Sequence, residues 1–319
     1  MNAPHPAGIV LHDVIIIGSG PAGCTAALYA ARANLKVLVV AGYESGGQLM
    51  ITSDVENYPG FAEAITGPDL MARFRKQAER FGAVFKDEDA TAVDFTGRPF
   101  KVTSDSGVHE ARSIIVATGS SAKWLGLASE TRLRGHGVSA CATCDGFFFK
   151  EKEVVVVGGG DSAMEEATFL TKYATKVTII HRRDSFKASK IMASRAMNHP
   201  KIKILWNTTV EEVLGTTSVE GVRIKDVATG KVSVYPAGGY FSAIGHVPNT
   251  TIFKGQLHLD EMGYILSDGP VETSTSVEGV FVAGDVYDHR YKQAITAAGS
   301  GCKAAIDAEK WLEGQAAHG

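Results

Sequence analysis

A chain of 319 residues with 45% hydrophobic content is long enough for two domains, each with its own core. Its formal net charge of −3 excludes a general attraction to nucleic acid or to an anionic membrane surface. Four cysteines are too few for a disulfide scaffold and no apolar run is long enough to cross a bilayer, so a reducing cytoplasm is the expected compartment. Met1–Gly8 holds two prolines and no basic-then-apolar signal pattern.

The first predicted element is the strand Asp13–Ile17, a short continuous apolar run of the kind buried in parallel sheets. It leads into Gly18-Ser19-Gly20-Pro21-Ala22-Gly23 and then an alanine-rich segment, Cys24–Ala33, that reads as a helix. Strand, glycine turn and helix in that order convert a weak GxGxxG match into a dinucleotide fingerprint; a plain tight turn is the lesser reading. Gly18 and Gly20 permit the turn and the approach of a pyrophosphate, and Gly23 lets the helix pack on the strand. The second strand, Lys36–Val40, should end at an acidic residue for ribose hydroxyls, but it ends in Ala41-Gly42-Tyr43, with Glu44 a few residues late. Glu44-Ser45-Gly46-Gly47-Gln48-Leu49 and Asn57-Tyr58-Pro59-Gly60 are loops that identify no ligand alone. Gly67–Phe81 is predicted as an amphipathic helix whose Arg73, Arg75, Lys76 and Arg80 form a solvated face. Short strands at Ala92–Phe95 and Phe100–Val102 precede the buried strand Ile114–Val116, which leads to Ala117-Thr118-Gly119, a common end to the first segment of a flavin domain.

Next comes Cys141-Ala142-Thr143-Cys144-Asp145. A structural zinc site needs four ligands, and Cys24 and Cys302 stand alone and far apart, so zinc is disfavoured; spectator thiols are a weaker alternative. Two cysteines at this spacing open and close a small disulfide, and the spacing tends to lower one thiol's pKa. Asp145 adds a carboxyl where a proton donor or acceptor is useful. Cys24 and Cys302, in predicted helices among small residues, read as packed thiols without chemistry.

The strand–turn–helix pattern then restarts: Glu153–Val157, Gly158-Gly159-Gly160-Asp161-Ser162-Ala163, and a helix Met164–Tyr173. Its second strand, Lys176–Ile180, ends in His181-Arg182-Arg183, with Lys187 and Lys190 nearby. A carboxylate there would select NAD; arginine suits the 2′-phosphate of NADP. Strands follow at Lys203–Leu205 and Val222–Ile224, and Tyr240–His246, including Ile244 and Gly245, closes the middle domain. Gly279–Asp285 is a strand ending in Gly284-Asp285, whose carboxylate suits a flavin's sugar-alcohol chain, and a helix Gln293–Leu312 ends the pattern. The expected fold is α/β with two Rossmann-like nucleotide domains: residues 1–120 and 248–319 form a discontinuous outer domain, and 121–247 an inserted NADP domain carrying the cysteine pair.

These motifs resemble those of the low-molecular-weight, bacterial-type thioredoxin reductases. The likeness spans nearly the whole chain and is most specific at Gly18–Gly23, Gly46-Gly47-Gln48-Leu49, Gly137–Gly146, His181-Arg182-Arg183, and Gly284-Asp285 with Gln293-Ala294. The resemblance implies FAD on the outer domain, held also by Ala41, Asn57, Thr118, Gly119 and Lys292; NADPH on the middle one; and a homodimer. It implies that the missing acid after the second strand is ordinary, and that Arg73 and His136 dock thioredoxin. Lys292, Lys187 and His136 stand where the family often has arginine. Because the cysteines precede the NADP turn in the same domain, disulfide and nicotinamide must visit the flavin alternately, so a rotation of the middle domain about the crossings near Ser120 and Val247 is expected. The alternatives are a reductase for another thioredoxin-like or peroxidase partner, whose usual N-terminal thioredoxin-like domain has no room in Met1–Asp13, and a non-catalytic nucleotide sensor, against which the cysteine pair argues. A ferredoxin–NADP reductase would lack Cys141 and Cys144, and a small-molecule dithiol oxidase would lack the NADP phosphate site.

Overall fold

Val14, Ile15, Ile16 and Ile17 are all buried, a condition a strand meets only when both faces of its sheet are covered. The computed structural model, which describes residues 10–52 and 54–317, supplies that cover; the expectation for Met1–Gly8 lies outside the described residues. The chain divides into two compact units, Met1–Ser121 with Val247–Gly319, and Ala122–His246.

The sheet of the first unit runs in the order Val84–Lys86, Val37–Val40, Leu11–Ile17, Gly107–Val116, Phe100–Ser104, Ala92–Asp94. The first four strands pair in parallel and the last two antiparallel. The Gly107–Val116 strand is shared along one edge: Phe100–Ser104 takes Gly107–Ala111, and Val280–Val282 takes Ile114–Val116. Alternate residues of a strand face opposite ways. Val14, Ile16, Val37 and Val39 therefore pack on alanines of the helices Pro21–Arg32 and Ala294–Ala317. Ile15, Ile17, Leu38 and Val40 pack with Phe95, Phe100 and Phe253 on the other face. The two helices meet backbone to backbone, since a Cβ on Gly301 would lie 2.1 Å from the Ala22 carbonyl oxygen.

The first helix begins at Pro21, one turn earlier than Cys24, because proline at the first helical position loses no needed N–H. The Gly67–Arg80 helix is capped by Thr66, whose Oγ1 accepts from the Asp69 amide at 3.2 Å, and buries Leu70, Met71 and Ala78.

The second unit holds an all-parallel sheet in the order Val138–Ser139, Tyr240–Ser242, Glu153–Val157, Lys176–Ile180, Ile202–Leu205. The helix Asp161–Leu170 covers it through Ala163, Met164, Ala167 and Leu170. A three-stranded antiparallel ribbon, Thr208–Leu214, Gly221–Asp226 and Val232–Pro236, is separate from it. Tyr240–His246 is not one strand. Gly245, at φ +102°, lies between Tyr240–Ser242 and His246–Pro248, and the latter pairs with Ser120–Ala122 where the chain crosses between units. Asn249 and Thr118 secure these crossings reciprocally: Thr118 Oγ1 donates to the Asn249 carbonyl and Asn249 Nδ2 to the Thr118 carbonyl, each at 2.8 Å. No helix among the described residues is long and apolar enough to cross a membrane.

Candidate active site

Cys141 follows the Val138–Ser139 strand and precedes the four-residue helix Ala142–Asp145. Helical spacing sets residues three apart side by side, and Cys141 and Cys144 are joined in a disulfide with Cα atoms 5.3 Å apart. Ala142, between them, is 1% exposed and packs with Met164, Ala167 and Leu170 of the helix that leaves the second glycine turn. A Cβ on Gly146 would lie 3.3 Å from the Phe169 and Tyr173 rings, so the chain after the pair lies flat on the same helix and the residues after it. The disulfide and the second glycine turn are thus fixed to one element. The Asp145 amide donates to the Cys141 carbonyl at 3.1 Å. Burial pushes the Asp145 carboxyl above its ordinary range, and a hydrogen bond from the Ser139 hydroxyl partly offsets this. A carboxyl of raised proton affinity next in sequence to Cys144 has the chemistry of a proton carrier.

In the first glycine turn, Gly18 has φ +108° and a Cβ there would lie 2.3 Å from the Ala117 oxygen. A Cβ on Gly23 would lie 2.0 Å from the Gly18 oxygen, whereas one on Gly20 meets nothing within 4 Å. The outer glycines serve packing, and the middle one faces open space at a helix N-terminus. That is the cradle an anionic diphosphate needs. Several of the other sequence-predicted FAD residues lie against this turn. Ser19 Oγ donates to the Ala41 carbonyl at 2.7 Å and accepts from the Gly46 amide at 2.9 Å. A Cβ on Gly47 would lie 3.4 Å from the Gly20 Cα, which brings the Gly47–Ile51 turn, with Gln48 and Leu49, against the cradle. The Cα of Thr118, which precedes Gly119, lies 3.1 Å from the Cβ position of Gly18, and Gly284 abuts Ala22. Asn57 Nδ2 donates to Gln293 Oε1 at 3.3 Å, beside Lys292 and Ala294. Burial, with help from Asp288 and against Lys292, pushes the Asp285 carboxyl up to about 7. A half-buried carboxyl of this kind is suited to a hydroxyl donor.

The second turn repeats the scheme. A Cβ on Gly158 would lie 2.3 Å from the Ala243 oxygen, just before Ile244 and Gly245, and Gly160 again faces open space. A Cβ on Gly159 would lie 2.2 Å from His181 Cε1, so the imidazole forms the floor of the turn. Its Nε2 is 3.0 Å from the Ser185 carbonyl, and its ring packs on Phe186 and Trp206. Burial lowers its pKa, with Arg182 and Arg183 adding to the effect, so His181 supports the turn as a neutral group. The Lys187 and Ala188 amides both donate to the Gly159 carbonyl, at 2.8 and 3.1 Å, which folds the basic loop back over the turn. Arg182, Arg183 and Lys187 are exposed. Asp161, beside Ser162, accepts from the Ser189 amide at 2.8 Å.

Arg73 and His136 are exposed and lie in different units; Arg73 stacks over Phe61 at 5.5 Å. Arg75 does not belong to a solvated face. It forks onto Asp87 at 2.6 and 3.1 Å and bonds Glu79 at 2.9 Å. Cys24 is buried, with its thiol pushed up to about 12, as a packed thiol should be. Cys302 is only partly buried and shares a hydrogen bond with the Tyr29 side chain, so packing alone does not describe it. Ser139 was given no role by the sequence. Its signal was position alone, two residues before the first cysteine.

A model of the family "pyridine nucleotide-disulphide oxidoreductase" matches residues 12–301. The chain is 56% identical over 305 residues to the thioredoxin reductase of Mycolicibacterium smegmatis, covering 96% of this chain and 98% of that protein. It is 53% identical over 314 residues to a bifunctional thioredoxin reductase/thioredoxin of Mycobacterium leprae, covering 98% of this chain and 68% of that one. The solved structure of thioredoxin reductase from Giardia duodenalis matches with a TM-score of 0.90 at 48% identity, over 95% of this chain and 99% of that chain. Two glycine cradles and a disulfide packed on the helix of the second thus coincide with near full-length likeness, and the chain belongs to the thioredoxin reductases of the pyridine nucleotide-disulphide oxidoreductase family.

Proposed function

We propose that this protein passes two electrons from NADPH, by way of FAD, to the Cys141–Cys144 disulfide and from there to oxidised thioredoxin. The observation that carries this reading is the disulfide seated on the Asp161–Leu170 helix, whose N-terminus is a glycine cradle. The relative that joins reductase and thioredoxin in one chain supports the choice of partner.

In this reading the Gly18–Gly23 turn holds the FAD diphosphate at the N-terminus of its helix, and Asp285 accepts a hydroxyl of the sugar-alcohol chain. The Gly158–Gly160 turn holds the NADPH diphosphate. Arg182 and Arg183, with Lys187, take the 2′-phosphate, because a guanidinium matches phosphate oxygens in pairs. Bound flavin supplies the two-electron chemistry between nicotinamide and disulfide. Once the pair is reduced, Asp145 takes the proton from one thiol, and the resulting thiolate attacks a sulfur of the partner's disulfide. The second cysteine of the pair then breaks the mixed disulfide and closes Cys141–Cys144. The partner leaves with two electrons and two protons. Disulfide and NADP turn share the Ala122–His246 unit. Alternate service of one flavin therefore calls for rotation of that unit about Ser120–Ala122 and His246–Pro248. Arg73 and His136 dock the partner, and the enzyme works in the cytoplasm as a homodimer.

Cys141→Ser or Cys144→Ser should cut thioredoxin reduction by roughly 10³-fold or more while flavin bleaching by NADPH persists. Retained turnover in either variant would remove the pair from the pathway. A wild-type enzyme inert toward thioredoxin but active on another disulfide protein would favour the alternative partner.

A further inference from the structure

The strand Val37–Val40 ends without the carboxylate that usually grips a ribose there, and Tyr43 stands two residues past its end in Ala41-Gly42-Tyr43. The chain is closely fastened as it leaves the sheet. The Ala41 amide donates to the Lys86 carbonyl at 2.8 Å and the Gly42 amide to the Glu88 carbonyl at 3.0 Å. The Ala41 carbonyl and the Gly46 amide both bond the Ser19 hydroxyl of the first glycine turn, at 2.7 and 2.9 Å. Between these anchors Tyr43 is held twice: its amide donates to Asp89 Oδ1 at 3.0 Å and its hydroxyl to Asp105 Oδ2 at 2.7 Å. Asp105 lies in the turn between the Phe100–Ser104 and Gly107–Val116 strands, and that turn is itself latched. Glu88 Oε2 accepts from the Ser104 hydroxyl at 2.7 Å and the Ser106 amide at 3.2 Å, and Lys86 Nζ donates to the Ser106 hydroxyl at 2.7 Å. Tyr43 is nevertheless 65% exposed. An exposed side chain is ordinarily free to turn; this one has lost that freedom and still leaves most of its surface open.

We propose that Tyr43 is a binding residue for the adenine of FAD, its ring a preordered stacking platform at the end of the second strand. The inference rests on the reading that the Gly18–Gly23 turn holds the FAD diphosphate. From such a turn the adenosine half of the cofactor runs toward the end of the second strand. Ser19 ties that strand end to the turn, and Tyr43 is two residues beyond Ala41, a span of at most about 7 Å. A purine gains by lying on an aromatic ring, whichever of its faces it presents. Asp89 and Asp105 both act on Tyr43, so stacking takes the place of the missing carboxylate's bonds to ribose. Because the ring is fixed before the ligand arrives, little side-chain entropy opposes binding.

The test compares FAD with FMN, which lacks the adenosine half, in titrations of the full-length apoprotein followed by flavin fluorescence. Tyr43→Ala should bind FAD about ten- to a hundredfold more weakly and FMN as the wild type does. Tyr43→Phe keeps the ring, loses the tether to Asp105, and should weaken FAD only a few-fold. A second readout needs no variant: nitration of Tyr43 by tetranitromethane, followed by peptide mass, should be slowed by FAD and not by FMN. Equal losses of FAD and FMN in Tyr43→Ala would overturn the proposal by making Tyr43 a structural latch. So would a loss in Tyr43→Phe as large as in Tyr43→Ala, or nitration at one rate with and without FAD. Wild-type protein that takes FMN as tightly as FAD would overturn it while leaving flavin at the site. Protein that takes neither flavin would remove the FAD reading itself, and the proposal with it.

Discussion

The chain builds the same strand, glycine turn and helix twice, and the two copies differ in what stops them from changing. In the first, Gly23 is confined by backbone: a Cβ there would lie 2.0 Å from the Gly18 oxygen. In the second, the equivalent position is Ala163, and its Cβ fills the space beside Gly158. The ends of the neighbouring strands differ as well. After Val37–Val40 the groups are satisfied within the unit: Ala41 by Ser19, and Tyr43 by Asp89 and Asp105. After Lys176–Ile180 the arginines stand exposed above a buried, neutral His181. The closed copy suits a cofactor that stays, and the open, basic copy suits one that comes and goes. Packing decides the turn in both, while the strand ends are where the two copies differ in charge.

The sharpest way to break this comparison is to exchange the third positions. Gly23→Ala must part a helix from its strand, and we expect a loss of about 3 kcal/mol or more together with FAD. Ala163→Gly should cost only roughly 1 kcal/mol, mostly helix propensity. Thermal melts and flavin absorbance report both, and equal losses would mean that the two turns are under the same constraint.

Next in size is Arg182→Ala with Arg183→Ala. Removing two charge-assisted contacts should raise KM for NADPH by about 10²-fold and leave NADH nearly unaffected. Parallel losses for the two nucleotides would take the 2′-phosphate away from these residues.

The smallest effect concerns Asp285, on the closed copy. Its carboxyl, lifted to about 7 by burial, favours the fold most while protonated, so its contribution to apoprotein stability falls as pH rises through about 7. A hydroxyl donor prefers the ionised form, so FAD binding should release a proton. FAD affinity should increase several-fold, up to about tenfold, between pH 5 and 8 and then level off. Asp285→Asn should flatten the curve in a flavin-binding titration. An unchanged curve would place the hydroxyl elsewhere.

What the sequence made legible was local. Apolar runs entering glycine turns mark Val14–Ile17 and Val154–Val157 because burial on both faces leaves no polar residue in those parts of the strands. Two cysteines three apart announce their own disulfide. What stayed hidden depends on residues far apart in the chain. Arg75 resembles its basic neighbours until Asp87 and Phe85 come beneath it. Cys302 resembles Cys24 until Tyr29 meets it. Val138–Ser139 is too short for any periodicity and is a strand only because Tyr240–Ser242 lies alongside. Ser139 inherits its place from that pairing.

The close contact of Gly301 with Ala22 has a consequence for how the protein is made. The first glycine turn emerges from the ribosome well before the helix that braces it and the Val280–Val282 strand that fills the gap beside Gly107–Val116. The Ala122–His246 unit is complete long before either. During synthesis the disulfide-bearing unit can therefore fold while the outer sheet still shows an open edge at Ile114–Val116. A segment translated long after the first glycine turn is thus what gives that turn its fixed shape.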